Sequence, residues 1–397
     1  MDINAQILAL GAEYEEFVIG ARRCVHTYAE TAAREVRTRE LILETAQQLE
    51  LPARRLSQTG VIVRLETPRL GPVVALRADM DALAVAESET NLVGCRTCRS
   101  ETPETSCHAC GHDAHTAMLL GAMQILARIR DRLRGTVLFC FEEGEESGTG
   151  VHAMLEALEE EKVDMCWAIH VYAGLEEGKL SVESGARMAG AARAEVTFHG
   201  KSGHVSQPEL AANPIVCGAA FLNNLASATA QKGLSKSVNM GWTVFQGGSV
   251  TNVIPETARL AGSYRYFDGD AGETAVALTK EVARHTAAMY GCRAEFPPDL
   301  RSDPTINDAA RAQAAYRALE SMLPAGTLTS CPPWPATESF HRYLKRYPGV
   351  LAFLGIRNPE AGYGAPHHNP RFDLNEKVLK TGAVATARVA AAWLGGE

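Results

Sequence analysis

The nine residues Cys107-His108-Ala109-Cys110-Gly111-His112-Asp113-Ala114-His115 hold two thiols and three imidazoles. They run straight into an apolar helical pattern. Thr116 to Arg130 carries Met118, Leu119, Ala122, Met123, Ile125 and Leu126, a face broad enough to bury against a sheet. Soft and borderline donors crowded at a loop-to-helix junction suit a transition-metal ion. The alternative is a set of buried thiols beside unremarkable histidines. His112 and Asp113 fall where the N-cap of the helix is expected.

The surrounding pattern is that of an α/β chain. Val61, Val63 and Leu65 alternate, while Val73 to Leu76, Val137 to Phe141 and Trp167 to His170 read as buried strands with helices between them. After Ser184-Gly185-Ala186 the texture changes. Ala194 to Phe198, Trp242 to Phe245 and Ala258 to Arg265 read as strands, and Pro214 to Ala226 and Glu273 to Tyr290 as helices, making a small α+β insertion. Pro297-Pro298 and Pro304 mark the return, followed by a helix from Asn307 to Leu323 and an Ala-rich helix from Glu376. With 397 residues the chain is long for one core and comfortable for two. The expected division is residues 1–186 with 298–397, and residues 187–297 inserted between them.

Composition narrows the function. A net charge of -8 spread along the chain, without a Lys/Arg-rich run, argues against nucleic acid as a partner. The pairs Arg22/Arg23 and Arg54/Arg55 read as ordinary solvated charges. Apolar runs such as Ala114 to Leu126 fall short of the roughly 20 residues of a bilayer-spanning helix, so no membrane span is expected. The start Met1-Asp2-Ile3-Asn4 lacks the basic residues and apolar block of a secretory signal. Ten cysteines in such a chain point to reduced thiols or metal ligands, and to a cytoplasmic location.

Four further places could carry chemistry. Arg77-Ala-Asp79-Met-Asp81 puts two carboxylates on one face at a strand end, where either could orient a ligand histidine or form a plain surface pair. Phe141-Glu142-Glu143-Gly144-Glu145-Glu146 follows a buried strand, and its carboxylates repel unless something positive sits among them. One of an adjacent pair can bind a metal while the other takes the proton of a bound water; an acidic loop without a role is the alternative. His170 closes the next strand, where a lone histidine is more often a satisfied core residue. His367-His368-Asn369-Pro370 lies in a Gly/Pro-rich loop, and loops carry function disproportionately.

In order, Arg77 to Leu83, His108 to His115, Glu145-Glu146, His170, Gly200 to His204, Asn252-Val-Ile-Pro255 and His368-Asn-Pro-Arg-Phe-Asp373 resemble one known pattern. It is that of the amidohydrolase branch of the aminoacylase and glutamate-carboxypeptidase metallopeptidase family. Hippurate hydrolases, auxin-conjugate amidohydrolases and aminobenzoyl-glutamate hydrolase belong to that branch. The resemblance implies an α/β two-metal peptidase domain, a mixed sheet flanked by helices, carrying a smaller α+β lid that also dimerises. It implies Cys110, His112, Glu146, His170 and His368 as ligands of two divalent transition-metal ions, zinc, manganese, cobalt or nickel. Glu145 becomes the general base and Asp81 a supporting carboxylate. His204 and Asn252 contact substrate or the developing oxyanion, and Arg265 the substrate carboxylate. The activity it implies is metal-dependent hydrolysis of the amide bond of N-acyl or N-aroyl amino acids or related small amide conjugates, releasing a free amino acid and a carboxylic acid. The expected assembly is a homodimer in which His204 acts across subunits.

Departures from the pattern are Ala29-Glu30, where Pro-Glu is usual, and Ser339 after Glu338. The segment Glu89 to Ser106 is long and carries Cys95-x-x-Cys98, which with Cys107 and Cys110 superficially reads as a structural zinc knuckle. A non-catalytic zinc scaffold is therefore one rival, and a dipeptidase or aminopeptidase on the same fold another.

Overall fold

The computed structural model describes residues 2–56 and 58–395. Met1, Ser57, Gly396 and Glu397, which fall in the expected domain ranges, lie outside the described residues. The chain divides into two compact units: Met1–Gly185, Ile306–Pro332 and Arg342–Glu397 form the first, Ala186–Thr305 and Pro333–His341 the second.

The first unit is built on a seven-stranded mixed sheet. Its leading elements are helices α1 (Ile3–Glu13), α2 (Glu15–Thr27) and α3 (Val36–Gln48), and strands β1 (Ala53–Arg55), β2 (Val61–Glu66) and β3 (Val73–Asp79). Helix α4 (His112–Ile129), strand β4 (Thr136–Glu142), helix α5 (Gly150–Glu159) and strand β5 (Met165–Glu176) follow. Across the sheet the order is β1, β2, β4, β3, β5, then Gly349–Arg357 and Leu180–Ser181. Strands β4, β3, β5 and Gly349–Arg357 run parallel, β1 and β2 antiparallel. The apolar runs of β3, β4 and Gly349–Arg357 are buried almost throughout, as strands covered on both faces must be. Helix α4 is buried nearly all round, with the Ala-rich helix Val378–Trp393 against it and α1 and α2 alongside. The carboxyl ends of the parallel strands, where open α/β sheets bind ligands, carry the loops after β3 and β4.

Several expectations are corrected. Helix α4 begins at His112, not Thr116, because Gly111 is its N-cap at φ +92° and takes the left-handed turn that ends the preceding loop. His112 and Asp113 are thus its first turn. The helix expected from Asn307 covers Ala309–Glu320, capped by Asp308, whose side chain accepts from the Arg311 amide at 2.8 Å. Asn307 instead bonds the backbone of Leu351. The last helix starts at Val378. Arg22 is not a solvated charge: it is 2% exposed, with Nε 2.7 Å from Asp113.

The second unit holds a five-stranded antiparallel sheet, ordered Val238–Gly247, Thr257–Tyr266, Gly190–His199 and Arg293–Glu295, with Arg301–Ser302 also on Gly190–His199. Helices Pro214–Gln231 and Gly269–Met289 cover it, packing Cys217, Phe221, Leu225, Ala275 and Leu278 against Val196, Phe198 and Leu260. Each starts at an acceptor side chain, Asn213 and Asp268. The unit is larger than the expected 187–297: it runs to Thr305 and takes back Pro333–His341. The reason is backbone pairing, Trp334 donating to Arg187 at 2.8 Å and Ala189 to Ala336 at 2.9 Å.

Candidate metal centre

Five side chains of the first unit converge. Cys110 and His112 come from either side of the Gly111 turn, Glu146 from the loop after β4, His170 from β5, and His368 from the loop before the last helix. Donor atoms of Cys110, His112 and His170 lie within 4.8 Å of one another, and so do those of Cys110, Glu146 and His368. The two sets share Cys110, which makes one centre with two positions. His112, Glu145 and Glu146 satisfy the same limit.

Local structure explains the convergence. A Cβ at Gly111 would overlap Val171, so only glycine lets the loop turn between its two donors. His368 sits at φ +64°, a left-handed conformation that costs a non-glycine residue roughly 1–2 kcal/mol. The Ala109 carbonyl accepts its amide at 2.8 Å and ties the two donor loops together. Strain held by such a contact is common at functional sites.

Carboxylates orient the donors. Asp81 Oδ1 lies 3.2 Å from His112 Nδ1 and accepts the Glu145 amide at 3.0 Å, while Oδ2 accepts the Glu146 amide at 3.1 Å. One buried carboxylate therefore aims a histidine and fixes the acidic loop. Asp79 backs two histidines, forming a further close group with His112 and His115, and its Oδ2 lies 3.7 Å from His112 Nε2. Its Oδ1 lies 2.6 Å from His115 Nδ1, and the Val171 amide donates to His115 Nε2 at 2.9 Å, so both ring nitrogens of His115 are used and it supports rather than ligates. Strand β3 ends at Asp79, so the expected shared face does not extend to Asp81.

The acidic loop splits the same way. Glu142 is bonded to Arg77 at 2.9 Å and to the Tyr343 hydroxyl at 2.5 Å. Glu143 accepts the Gly60 amide at 2.6 Å as well as the Thr59 amide and hydroxyl. Glu145 and Glu146 are the pair turned to the histidines, with Glu146 Oε1 3.3 Å from His368 Nε2.

The donor set fits divalent cations. His112 Nε2 and Glu146 Oε1 are buried and lie 3.8 Å apart; His112 Nε2 finds no hydrogen-bond partner among the described residues, and Glu146 Oε1 has the His368 Nε2 contact at 3.3 Å there. His170 Nδ1 donates to the Val171 carbonyl at 2.6 Å, which leaves Nε2, 3.8 Å from Cys110 Sγ, as the basic nitrogen. Burial pushes the Cys110 thiol well above its usual range, so a thiolate there calls for a cation beside it. Against the cost of burial, His368 and His112 hold the Glu146 carboxyl below its usual range.

The remaining candidates separate from this centre. His108 is 2% exposed, burial lowers its pKa to about 3, and it belongs to no donor set among the described residues. Cys95, Cys98 and Cys107 belong to none among the described residues either, and Cys107 is a buried thiol whose backbone pairs with that of Leu83. His367 Nε2 accepts from the Ala173 amide at 3.1 Å, and its ring lies 5.5 Å from that of His170. In the second unit, His204 pairs with Val253, and the Val205 amide donates to the Asn252 carbonyl at 3.1 Å, so these two are neighbours. Arg265 lies apart from them on Thr257–Tyr266, bonded to Ser263 and to the Tyr264 carbonyl.

Sequence reasoning missed two sets of supporting residues. One is Arg22, His26, Glu87 and Asp113: Asp113 Oδ2 lies 2.7 Å from both Arg22 Nε and His26 Nδ1, clamping the start of α4. The other is Glu35, discussed below. Both rest on contacts across long stretches of chain; the spacing Arg22-x-x-x-His26 on one helical face was the one local hint.

Residues 75–392 match peptidase family M20/M25/M40. Thermostable carboxypeptidase 1 of Saccharolobus solfataricus is 31% identical over 98% of this chain and 98% of its own. The N-acyl-L-amino acid amidohydrolase of Geobacillus stearothermophilus is 33% identical over 76% of this chain and 81% of its own. Among solved structures, the Bacillus subtilis YXEP protein, described as a dinuclear metal binding peptidase, superposes with a TM-score of 0.82 at 28% identity. That match covers 97% of this chain and all of the other.

Proposed function

The chain belongs to peptidase family M20/M25/M40 and is a metal-dependent hydrolase, and on that premise we propose that it cleaves the amide bond of small N-acyl or N-aroyl amino acids. The products are a carboxylic acid and a free amino acid. The convergence of Cys110, His112, Glu146, His170 and His368 beside Glu145 carries this reading.

In it, those five residues hold two divalent ions. When bound, the ions supply a polarised scissile carbonyl and an acidified water. Glu145 takes the water proton on a carboxylate oxygen and returns it to the leaving nitrogen. Asp81 keeps His112 in one tautomer and holds the Glu145 and Glu146 amides in register. A thiolate ligand favours zinc, cobalt or nickel, and the hard Glu146 oxygen leaves room for manganese.

A symmetric homodimer is part of the proposal. Strand Val238–Gly247 is at the edge of its sheet, and Val216, Phe245, Val250 and Val253 stand exposed on the same unit, which supports a second copy as the partner. His204 then donates to the developing oxyanion from the partner chain, with Asn252 beside it, and Arg265 binds the substrate carboxylate. Ten free cysteines support a reducing, cytoplasmic setting. No helix among the described residues is long and apolar enough to cross a membrane.

The test is a panel of N-acyl amino acids and free-amine dipeptides, read by release of the free amino acid with each metal restored in turn. Hydrolysis of the acylated substrates with little on free-amine dipeptides is expected. The opposite preference would make the chain a dipeptidase.

A further inference from the structure

Three successive backbone amides of the catalytic loop are each accepted by a buried carboxyl group from elsewhere in the fold. Asp81 takes those of Glu145 and Glu146, and Glu35 Oε1 takes that of Gly144 at 2.8 Å. Glu35 is fully buried at the N-cap of α3. Its other oxygen, Oε2, lies 2.6 Å from Thr59 Oγ1, which also lies 2.9 Å from Glu143 Oε2.

A proton count follows from these contacts. A hydroxyl has one proton to give, so Thr59 cannot donate to both carboxyl groups. Were both ionised, two oxygens would face each other at hydrogen-bond distance with no proton between them, in a region closed to water. Glu35 takes the Gly144 amide and its own, whereas the single oxygen Glu143 Oε2 gathers the Thr59 hydroxyl and the Thr59 and Gly60 amides, so Oε2 of Glu143 is the one that must stay an acceptor. The missing proton therefore belongs to Glu35, and 2.6 Å is an ordinary O–H···O separation.

Resting on the hydrolytic reading above, we propose that Glu35 is a positioning residue held as a neutral carboxylic acid. It donates through Oε2 to Thr59, which donates to Glu143, while Oε1 holds the Gly144 amide and so sets the loop that carries Glu145 and Glu146. Burial pushes the Glu35 carboxyl up, in the same sense. A second negative charge here would face Glu143 and Asp81 across the loop, and the neutral acid avoids it while keeping both hydrogen bonds.

Glutamine is the isostere of that neutral acid: its NH2 donates to Thr59 and its carbonyl accepts from Gly144. The full-length holoenzyme and its Glu35→Gln and Glu35→Ala variants are compared for kcat, KM and metal content. Wild type and Glu35→Gln are also compared by infrared spectroscopy in H2O and D2O. Glu35→Gln should keep kcat within about threefold of wild type. Glu35→Ala should lose kcat by roughly 10- to 100-fold, the scale of a misplaced catalytic group, with KM and metal content near wild type. The infrared difference should show a protonated-carboxyl band, shifted by deuteration, that Glu35→Gln removes. Absence of that band, or a Glu35→Gln defect exceeding tenfold, overturns the proposal. Because the band needs no turnover, it still decides the state of Glu35 if no N-acyl amino acid proves to be a substrate, or if Glu35→Ala fails to fold.

Discussion

Glu145 and Glu146 are chain neighbours whose amides are held by the same carboxylate, yet their side chains stand in different company. Both fall within reach of His112, but only Glu146 also shares a donor set with Cys110 and His368 among the described residues. Glu145→Gln should therefore keep fold and metal and lower turnover by about 100-fold or more, the scale of a lost general base. Cys110→Ala should lose metal. Turnover near wild type in Glu145→Gln, with Glu146→Gln inactive but metal-replete, would exchange the two roles. Arg22 supplies a stability prediction. It is buried with Asp113, and Arg22→Met leaves that carboxylate underpaired, at a cost of about 3–5 kcal/mol by urea denaturation. A loss under about 1 kcal/mol would mean the pair is replaceable at this site. Clustering marked Cys110 and His112 in the sequence, whereas Glu146, His170 and His368 were singled out as ligands by the family resemblance. Neither marked Arg22: a doubled arginine is usually solvated, and its partners Asp113 and Glu376 are 91 and 354 positions away.

At the scale of elements, strands β3, β4 and β5 were legible because apolar runs ending in charge mark buried parallel strands that open onto a site. Gly349–Arg357, which completes the sheet beside β5, was not. Its run Val-Leu-Ala-Phe-Leu-Gly-Ile reads equally as a buried helix segment, and only pairing with Cys166 to Tyr172 fixes it as strand. The Gly111 turn was passed over for a related reason, since a glycine declares its need for positive φ only when the fold is known. Gly111→Ala should lower metal occupancy more than it lowers the melting temperature, measured side by side, because the strain falls between Cys110 and His112. The Cys95/Cys98 pair makes the converse case. Replacing both by Ser should leave activity near wild type, since neither belongs to a donor set. Complete loss of activity in a well-folded double variant would bring back a structural zinc.

For the whole molecule, the change of texture after Ser184-Gly185-Ala186 put a boundary at 186/187, one residue beyond the second unit's start at Ala186, whereas the return of Pro333–His341 to the second unit depends on long-range backbone pairing that no local pattern announces. The dimer proposal is tested by subunit exchange. Inactive Glu145→Gln and inactive His204→Ala chains, mixed under exchange verified by mass labelling, should recover roughly a quarter of wild-type activity if sites are independent. No recovery would confine His204 to its own chain or remove it from the reaction. The most direct test of the central claim is a metal titration of chelator-stripped protein, following hydrolysis of an N-acyl amino acid against ions bound per chain. Activity should be absent from the stripped chain and rise to its plateau as the second ion binds. Full activity at one ion per chain, or activity that survives stripping, would contradict a two-metal hydrolase.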